Sequence, residues 1–212
     1  MTSEAFAPQQ QRSRRTLARL LQAAVDMLEE HGLGGATIPR VAAAAGVAPA
    51  SVYRRFRDKD ALYRAAFLAV LERSAEANRA RLRAAPVAQR TLEQVAGDLV
   101  GAVVRQYRTN PGLLRALVRF LETDTDVAFR KAAVGYVAGN IRDLGDVLLT
   151  YRDRITHPNP ERAVIFALLN VATVVEVRML EQASVWDAVL PISEGEMEAE
   201  LTRAFLAYLT TR

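Results

Sequence analysis

Apolar residues along this chain recur at three- and four-residue spacings and almost never alternate, so the pattern predicts helices throughout. Leu17, Leu20, Leu21, Ala24, Val25 and Leu28 form the first such row. It stops at His31-Gly32, with Gly34-Gly35 just beyond, a normal glycine ending. Residues 1–12, ahead of it, are polar and are expected to form a disordered tail. Thr37 precedes a short apolar segment, IPRVAAAA, interrupted by Gly46. Pro49 falls in the first turn of the next segment, where its missing N–H costs nothing. Asp58 is placed to cap a long helix from about Lys59 to Ala85, ended by Pro86. Further helices are predicted from about Gln89 to Arg108, Leu113 to Leu121 and Asp124 to Arg152. Two more run from about Glu161 to Gln182 and Glu194 to Thr211, with Asn110-Pro111-Gly112 and the HPNP of residues 157–160 as the main breaks.

The segment RAVIFALLNVATVVEVRML is apolar nearly all round, whereas a surface helix shows a single apolar stripe. It therefore needs cover on more than one side, either as the central helix of a domain or as a subunit interface. No apolar run approaches the roughly 20 uninterrupted residues of a membrane span, so no membrane partner is expected. The first 15 residues lack the apolar centre of a signal peptide, which makes a cytoplasmic location the expectation.

One stretch, AAAAGVAPASVYRRFRDKDAL at residues 42–62, sets the smallest side chains beside a tyrosine and several guanidiniums. Ala42 and Ala45 let two helices cross closely. Gly46 suits a turn at positive φ. Val41, Val47 and Val52 are spaced to plug the two helices together, and Ser51, Tyr53, Arg54 and Arg55 are left for an outer face. That is the physical pattern of a helix-turn-helix whose second helix enters the DNA major groove. Charge agrees with it. The chain carries a net +4, and residues 1–62 hold nine Lys or Arg against six Asp or Glu, an excess of three.

The ordered combination AAVDMLEEHG (23–32), ATIPRVAAAAGVA (36–48), SVYRRF (51–56) and DKDAL (58–62) resembles the TetR-type transcriptional regulators from about Leu20 to Leu62. The resemblance implies an all-α fold with a three-helix DNA-binding domain at 13–62, its helix-turn-helix at about 37–56, and a larger ligand-binding and dimerisation domain at 63–212. Thr37, Tyr53 and Lys59 match positions that contact phosphates in that family. Lys59 is one of only two lysines among the chain's 28 basic residues. Pro49, Ala50, Ser51 and Arg54 are the candidates for base edges at the start of the recognition helix. There Arg54 suits guanine, and Ala50 or Pro49 suits a thymine methyl. Arg55 suits phosphate and base alike. For Tyr53 the ordinary alternative is a core aromatic whose hydroxyl reaches solvent. Arg12, Arg14 and Arg15 are read either as a basic arm folding over DNA or as a tail without a role. Some positions depart from the family pattern: Leu28 stands for a usual phenylalanine, Arg40 for the acidic partner of Thr37, and Ala48 and Ala50 for a capping serine and a glycine.

By the same resemblance, the C-terminal helices enclose a small-molecule effector and the last two pair with those of a second subunit. The chain would then bind a palindromic double-stranded DNA operator as a homodimer and act as a repressor released by the effector. Candidates for the effector wall are Tyr107, Phe120, Phe129, Tyr136 and Phe166, with Asn140, Asn170 and Thr173 as orienting polar groups. Trp186, the single tryptophan, is expected in the loop before the last helix. Catalysis is not expected. The chain has no cysteine, its two histidines (His31 and His157) sit beside helix-ending Gly or Pro, and no phosphate loop or metal-ligand spacing occurs. No cofactor is expected either. The remaining alternative is a helical ligand-binding or adaptor protein whose helix-turn-helix no longer reads specific DNA.

Overall fold

The computed structural model describes residues 6–84, 90–180 and 185–211, and among these there are helices and no strands. They are α1 (Phe6–Gly35), α2 (Ile38–Ala44), α3 (Pro49–Tyr53), α4 (Lys59–Ala84) and α5 (Leu92–Thr109). After them come α6 (Pro111–Thr123), α7 (Val127–Leu149), a single 3-10 turn (Arg152–Arg154), α8 (Pro160–Leu180), α9 (Val185–Val189) and α10 (Glu194–Thr210).

Several boundaries differ from the sequence expectation for identifiable reasons. Helix α1 begins at Phe6, so residues 6–12 of the expected tail are helical. Gly32, at φ +61°, marks the break foreseen at its other end. Helix α5 starts after Thr91 rather than at Gln89, because Thr91 and Gln94 exchange the two hydrogen bonds of a capping box. Asp124 does not open α7. It lies in the α6–α7 connection, and the Asp126 carboxylate accepts the Phe129 N–H there instead. Trp186 sits on the short helix α9 rather than in a loop. Ser193 and Glu196 form the capping box that starts α10. Pro86, Gln89 and Gln182 lie outside the described residues or at their edge, so the proposed stop of α4 is not described.

The chain forms two compact units. The first lies within Met1–Arg73 and Gly112–Ala133, the second within Ser74–Pro111 and Val134–Arg212. In the first, Leu20, Ala24 and Leu28 of α1 are fully buried together with Val41, Val52, Leu62, Tyr63 and Phe67. Phe120 is the hub of its aromatic part, with ring centroids 6.0 Å from Tyr63, 5.4 Å from Phe67 and 5.6 Å from Phe129. Such edge and tilted pairs add to the area they bury.

The second unit packs α5, α8 and α10 around Val100, Val104, Leu148, Val164, Val171, Val175, Phe205 and Leu209. By length and composition α8 is apolar enough to cross a membrane. Ala163, Val164, Ala167, Leu168, Val171, Val175 and Leu180 are nevertheless buried in protein, as in a core helix. Its other side carries Phe166 and Leu169, both about half exposed. That exposure is the physical form of a helix apolar all round: one face is used inside this chain and one is left over.

Candidate nucleic-acid interface

The helix-turn-helix is built by the small residues anticipated for it. Val41, Ala42 and Val52 are fully buried and Ala45 nearly so, while Val47 is half-buried at the seam. Gly46 takes φ +65° in the turn, the left-handed region that a Cβ disfavours by roughly 1–2 kcal/mol. Pro49 occupies the first turn of α3, and neither Thr37 nor Ala48 caps its helix through a side chain. Ala48 has no hydroxyl to offer. The Thr37 hydroxyl is exposed and uncommitted to α2.

Burying Val52 turns its neighbours outward. Tyr53 is 59% exposed and carries its ring in solvent, which removes the alternative of a core aromatic. Pro49 and Ala50 are exposed and Ser51 is partly so, forming the leading edge of α3. Arg54 is not at that leading edge. It is the C-cap of α3, one helical turn later, and its Nη2 donates to Ser51 Oγ at 2.9 Å. The base-edge candidates are therefore gathered by a fold-back of the guanidinium rather than by position alone. Arg55 follows, exposed, with Nη2 donating to Ser13 Oγ at 3.1 Å.

Lys59 opens α4, behind an Asp58 carboxylate that accepts the Ala61 N–H at 2.7 Å. That backbone hydrogen bond, and then the one from Arg57, hold the Asp58 carboxyl below the usual carboxylate range. Lys59 Nζ lies 3.5 Å from the Leu33 carbonyl and 5.4 Å from the centre of the Tyr63 ring, at the rim of a polar hollow of about 270 Å³. Beneath it the Tyr63 hydroxyl donates to the carbonyls of Leu33, at 3.1 Å, and Ala36. Burial pushes the Tyr63 phenol up to about 12, so it stays a donor at all ordinary pH. The connection that carries Thr37 is thus held from α4, the helix that carries Lys59.

Sequence reasoning missed the frame around this surface. Arg64 makes a two-pronged bond to Asp124, Nε–Oδ2 at 2.7 Å and Nη2–Oδ1 at 2.6 Å, with Asp126 3.8 Å away. Asp124 is only 7% exposed, and the Arg64 hydrogen bonds hold its carboxyl well below its ordinary value. The same contact raises the Arg64 guanidinium. The Glu29 carboxylate accepts the N–H groups of Gly112, at 3.3 Å, and Leu113, at 2.6 Å, at the start of α6. Both contacts join residues 60 or more positions apart, and no local pattern announces them.

The eight effector-wall candidates do not form one cluster. Phe120 and Phe129 belong to the aromatic centre of the first unit. Within the second, the Tyr107 hydroxyl donates to Glu176 Oε2 at 3.0 Å, and burial followed by the Glu176 charge raises that phenol. Tyr136 is partly buried. Asn140 Oδ1 and its neighbour on α7, Asp143 Oδ2, are buried atoms with no hydrogen-bond partner. Nothing in the charged stretch RDLGD around it marks Asp143 as a buried group. Phe166, Asn170 and Thr173 lie on the exposed side of α8, where Asn170 Nδ2 donates to the Phe166 carbonyl at 3.0 Å. The Phe166 ring centroid is 5.4 Å from that of Tyr208 on α10.

Residues 20–66, which span this surface, match the family model of the bacterial regulatory proteins, tetR family. No curated protein sequence matches the chain. Among solved structures the fold is similar to a protein assigned to the TetR-family transcriptional regulators from Mesorhizobium loti MAFF303099. The TM-score is 0.68 at 18% identity, covering 93% of this chain and 96% of that one. A TetR transcription regulator from Haloarcula marismortui ATCC 43049 gives a TM-score of 0.62 at 20% identity, covering 93% and 97%. The regulator FadR from Bacillus subtilis, solved in complex with stearoyl-CoA, gives 0.61 at 14% identity, covering 92% and 97%.

Proposed function

We propose that this chain, whose residues 20–66 match the family model of the bacterial regulatory proteins, tetR family, is a DNA-binding transcriptional repressor of that family, released from a palindromic operator by a small molecule. The observation that carries the reading is the outward face of the helix-turn-helix. Tyr53, Arg54 and Arg55 stand in solvent directly after a fully buried Val52, and Thr37 and Lys59 are exposed as well. A hydroxyl, a phenol and an ammonium are suited to phosphate oxygens, and Arg54, braced by Ser51, is suited to a guanine edge.

Dimerisation is part of the proposal. Phe166, Leu169, Asn170 and Thr173 recur at i, i+3, i+4 and i+7 on the exposed side of α8, and Ala204, Ala207 and Tyr208 of α10 are exposed as well. A second copy covering these residues would form a four-helix seam and set two recognition helices roughly 34 Å apart, one turn of DNA. The effector is assigned to the second unit, where Asn140 Oδ1 and Asp143 Oδ2 are acceptors waiting for a donor. Acyl-CoA thioesters, the class bound by Bacillus subtilis FadR, are the first to assay. The effector acts through its differential affinity for two states of the protein, typically about 1–3 kcal/mol of coupling, and DNA must weaken the effector to the same degree.

Fluorescence anisotropy on DNA from upstream of the protein's own gene tests this reading. Tight, sequence-selective binding that weakens in both Tyr53→Phe and Lys59→Ala supports it. A second reading, an adaptor that no longer recognises DNA, draws on α3 itself, which has five residues and no side-chain cap at Ala48. Binding no better than to random sequence, with little dependence on salt, would favour the adaptor.

A further inference from the structure

We propose that the N-terminal half of α1 is a second phosphate-binding element, gripping the DNA backbone beside the bases read by α3. The inference rests on the DNA-binding reading above and adds a surface outside the residues matched to the family. Two contacts fix its position. Arg55 Nη2 donates to Ser13 Oγ at 3.1 Å, tying α1 to the chain just beyond the recognition helix. Further along α1, Arg19 Nη1 lies 3.9 Å from where a Cβ on Gly46 would stand, over the turn of the motif. Residues 13–19 therefore run across the helix-turn-helix from the end of α3 to its turn.

This length of helix is uniformly basic. Arg12, Arg15 and Arg19 recur at i, i+3 and i+7, which sets them along one side, and Arg14 adds a fourth guanidinium. All four are exposed. No Asp or Glu occurs between Ala5 and Val25. None of the four takes part in an ion pair among the described residues. A merely solvated helix face mixes both signs, usually as i, i+4 pairs, and this one does not. Guanidinium forks match phosphate oxygens bidentately, and a row of them beside a recognition helix fits the phosphodiester backbone flanking the half-site. Arg55 acts here as a positioning residue, holding α1 against the motif.

The test uses the full-length protein and an operator duplex obtained by selection from random DNA, with anisotropy read across a salt series. Each phosphate contact contributes about 0.9 to the slope of log affinity against log salt, so Arg12→Ala/Arg15→Ala, which removes two contacts per subunit and four per dimer, should flatten the slope by about 3.6. The gap between wild type and variant should then narrow by about a hundredfold from 50 to 200 mM salt. Arg12→Lys/Arg15→Lys should restore the slope, and a duplex trimmed to the two half-sites should abolish the difference. An unchanged slope in the alanine variant, with wild type still binding selectively, overturns this inference alone. Absence of selective binding by wild type overturns the regulator reading and this one with it.

Discussion

Asp124→Ala removes the single buried charged residue among those described. It leaves the Arg64 guanidinium without either of its short bonds, at 2.6 and 2.7 Å. Losing one partner of a fully buried pair typically costs about 3–5 kcal/mol, because the other charge is stranded. Arg64 is not fully stranded here. Its side chain is 21% exposed and Asp126 lies 3.8 Å away, so water and a second carboxylate recover part of the loss. The expected destabilisation is about 2–3 kcal/mol, within the range for hydrogen bonds to charged groups. At the usual scaling for a chain of this size that lowers Tm by about 4–12 °C. Circular dichroism with thermal and urea melts reads it directly. Asp126→Ala removes the longer contact to Arg64 and the acceptor of the Phe129 N–H at the start of α7, and should cost about 1 kcal/mol, less than Asp124→Ala. The pH dependence has a definite sign. The folded Asp124 carboxyl is held below its unfolded value, so its contribution is complete above about pH 4 and is lost as pH falls through the folded pKa. Wild type and Asp124→Asn should therefore converge in stability in acid. Equal melts for wild type, Asp124→Ala and Asp126→Ala at pH 7 would refute the reasoning.

Other expectations follow from close contacts. A Cβ on Gly112 would stand 2.1 Å from the Glu29 carbonyl oxygen, so Gly112→Ala must displace backbone and should cost more than about 2 kcal/mol in urea melts. Gly112→Ala with a wild-type midpoint would mean that α6 does not pack this way. Tyr63→Phe removes the hydroxyl donor to the Ala36 carbonyl and leaves the Leu33 carbonyl only Lys59 Nζ at 3.5 Å, and should cost about 1–2 kcal/mol, measured by the same melts. Ser193→Ala removes the cap of α10 and should cost about 1 kcal/mol, with hydrogen exchange rising first at the amides of Glu196 and Met197.

What was legible in the sequence is what depends on neighbours along the chain. Ala42, Ala45, Gly46 and Val52 announce a tight helix crossing because close approach needs small residues and a turn needs positive φ, and the structure uses each in that way. Asp58 reads as a cap for the same reason, and its carboxylate takes the Ala61 N–H. Asp124 was legible only as a helix start. Its partner Arg64 lies 60 positions earlier, and nothing near either residue reports the other. Phe120, an effector-wall candidate by sequence, packs with Tyr63 and Phe67 from α4, and Phe129, another, packs on Phe120. An aromatic on an amphipathic helix points inward in either case, and only tertiary packing decides what it meets. Arg54 carries a smaller lesson. A five-residue α3 puts it past the helix, and a hydrogen bond to Ser51 returns it to the face where it was expected.

The central claim is that the Tyr53–Arg54–Lys59 surface reads a two-fold symmetric DNA site. Selection of the full-length protein on random duplex DNA, followed by sequencing of the bound fraction, tests it most directly. Enrichment of an inverted repeat is expected, with half-site centres about one helical turn apart, 10–10.5 base pairs, and its loss in Lys59→Ala. Recovery of sequence no different from the input pool would contradict it.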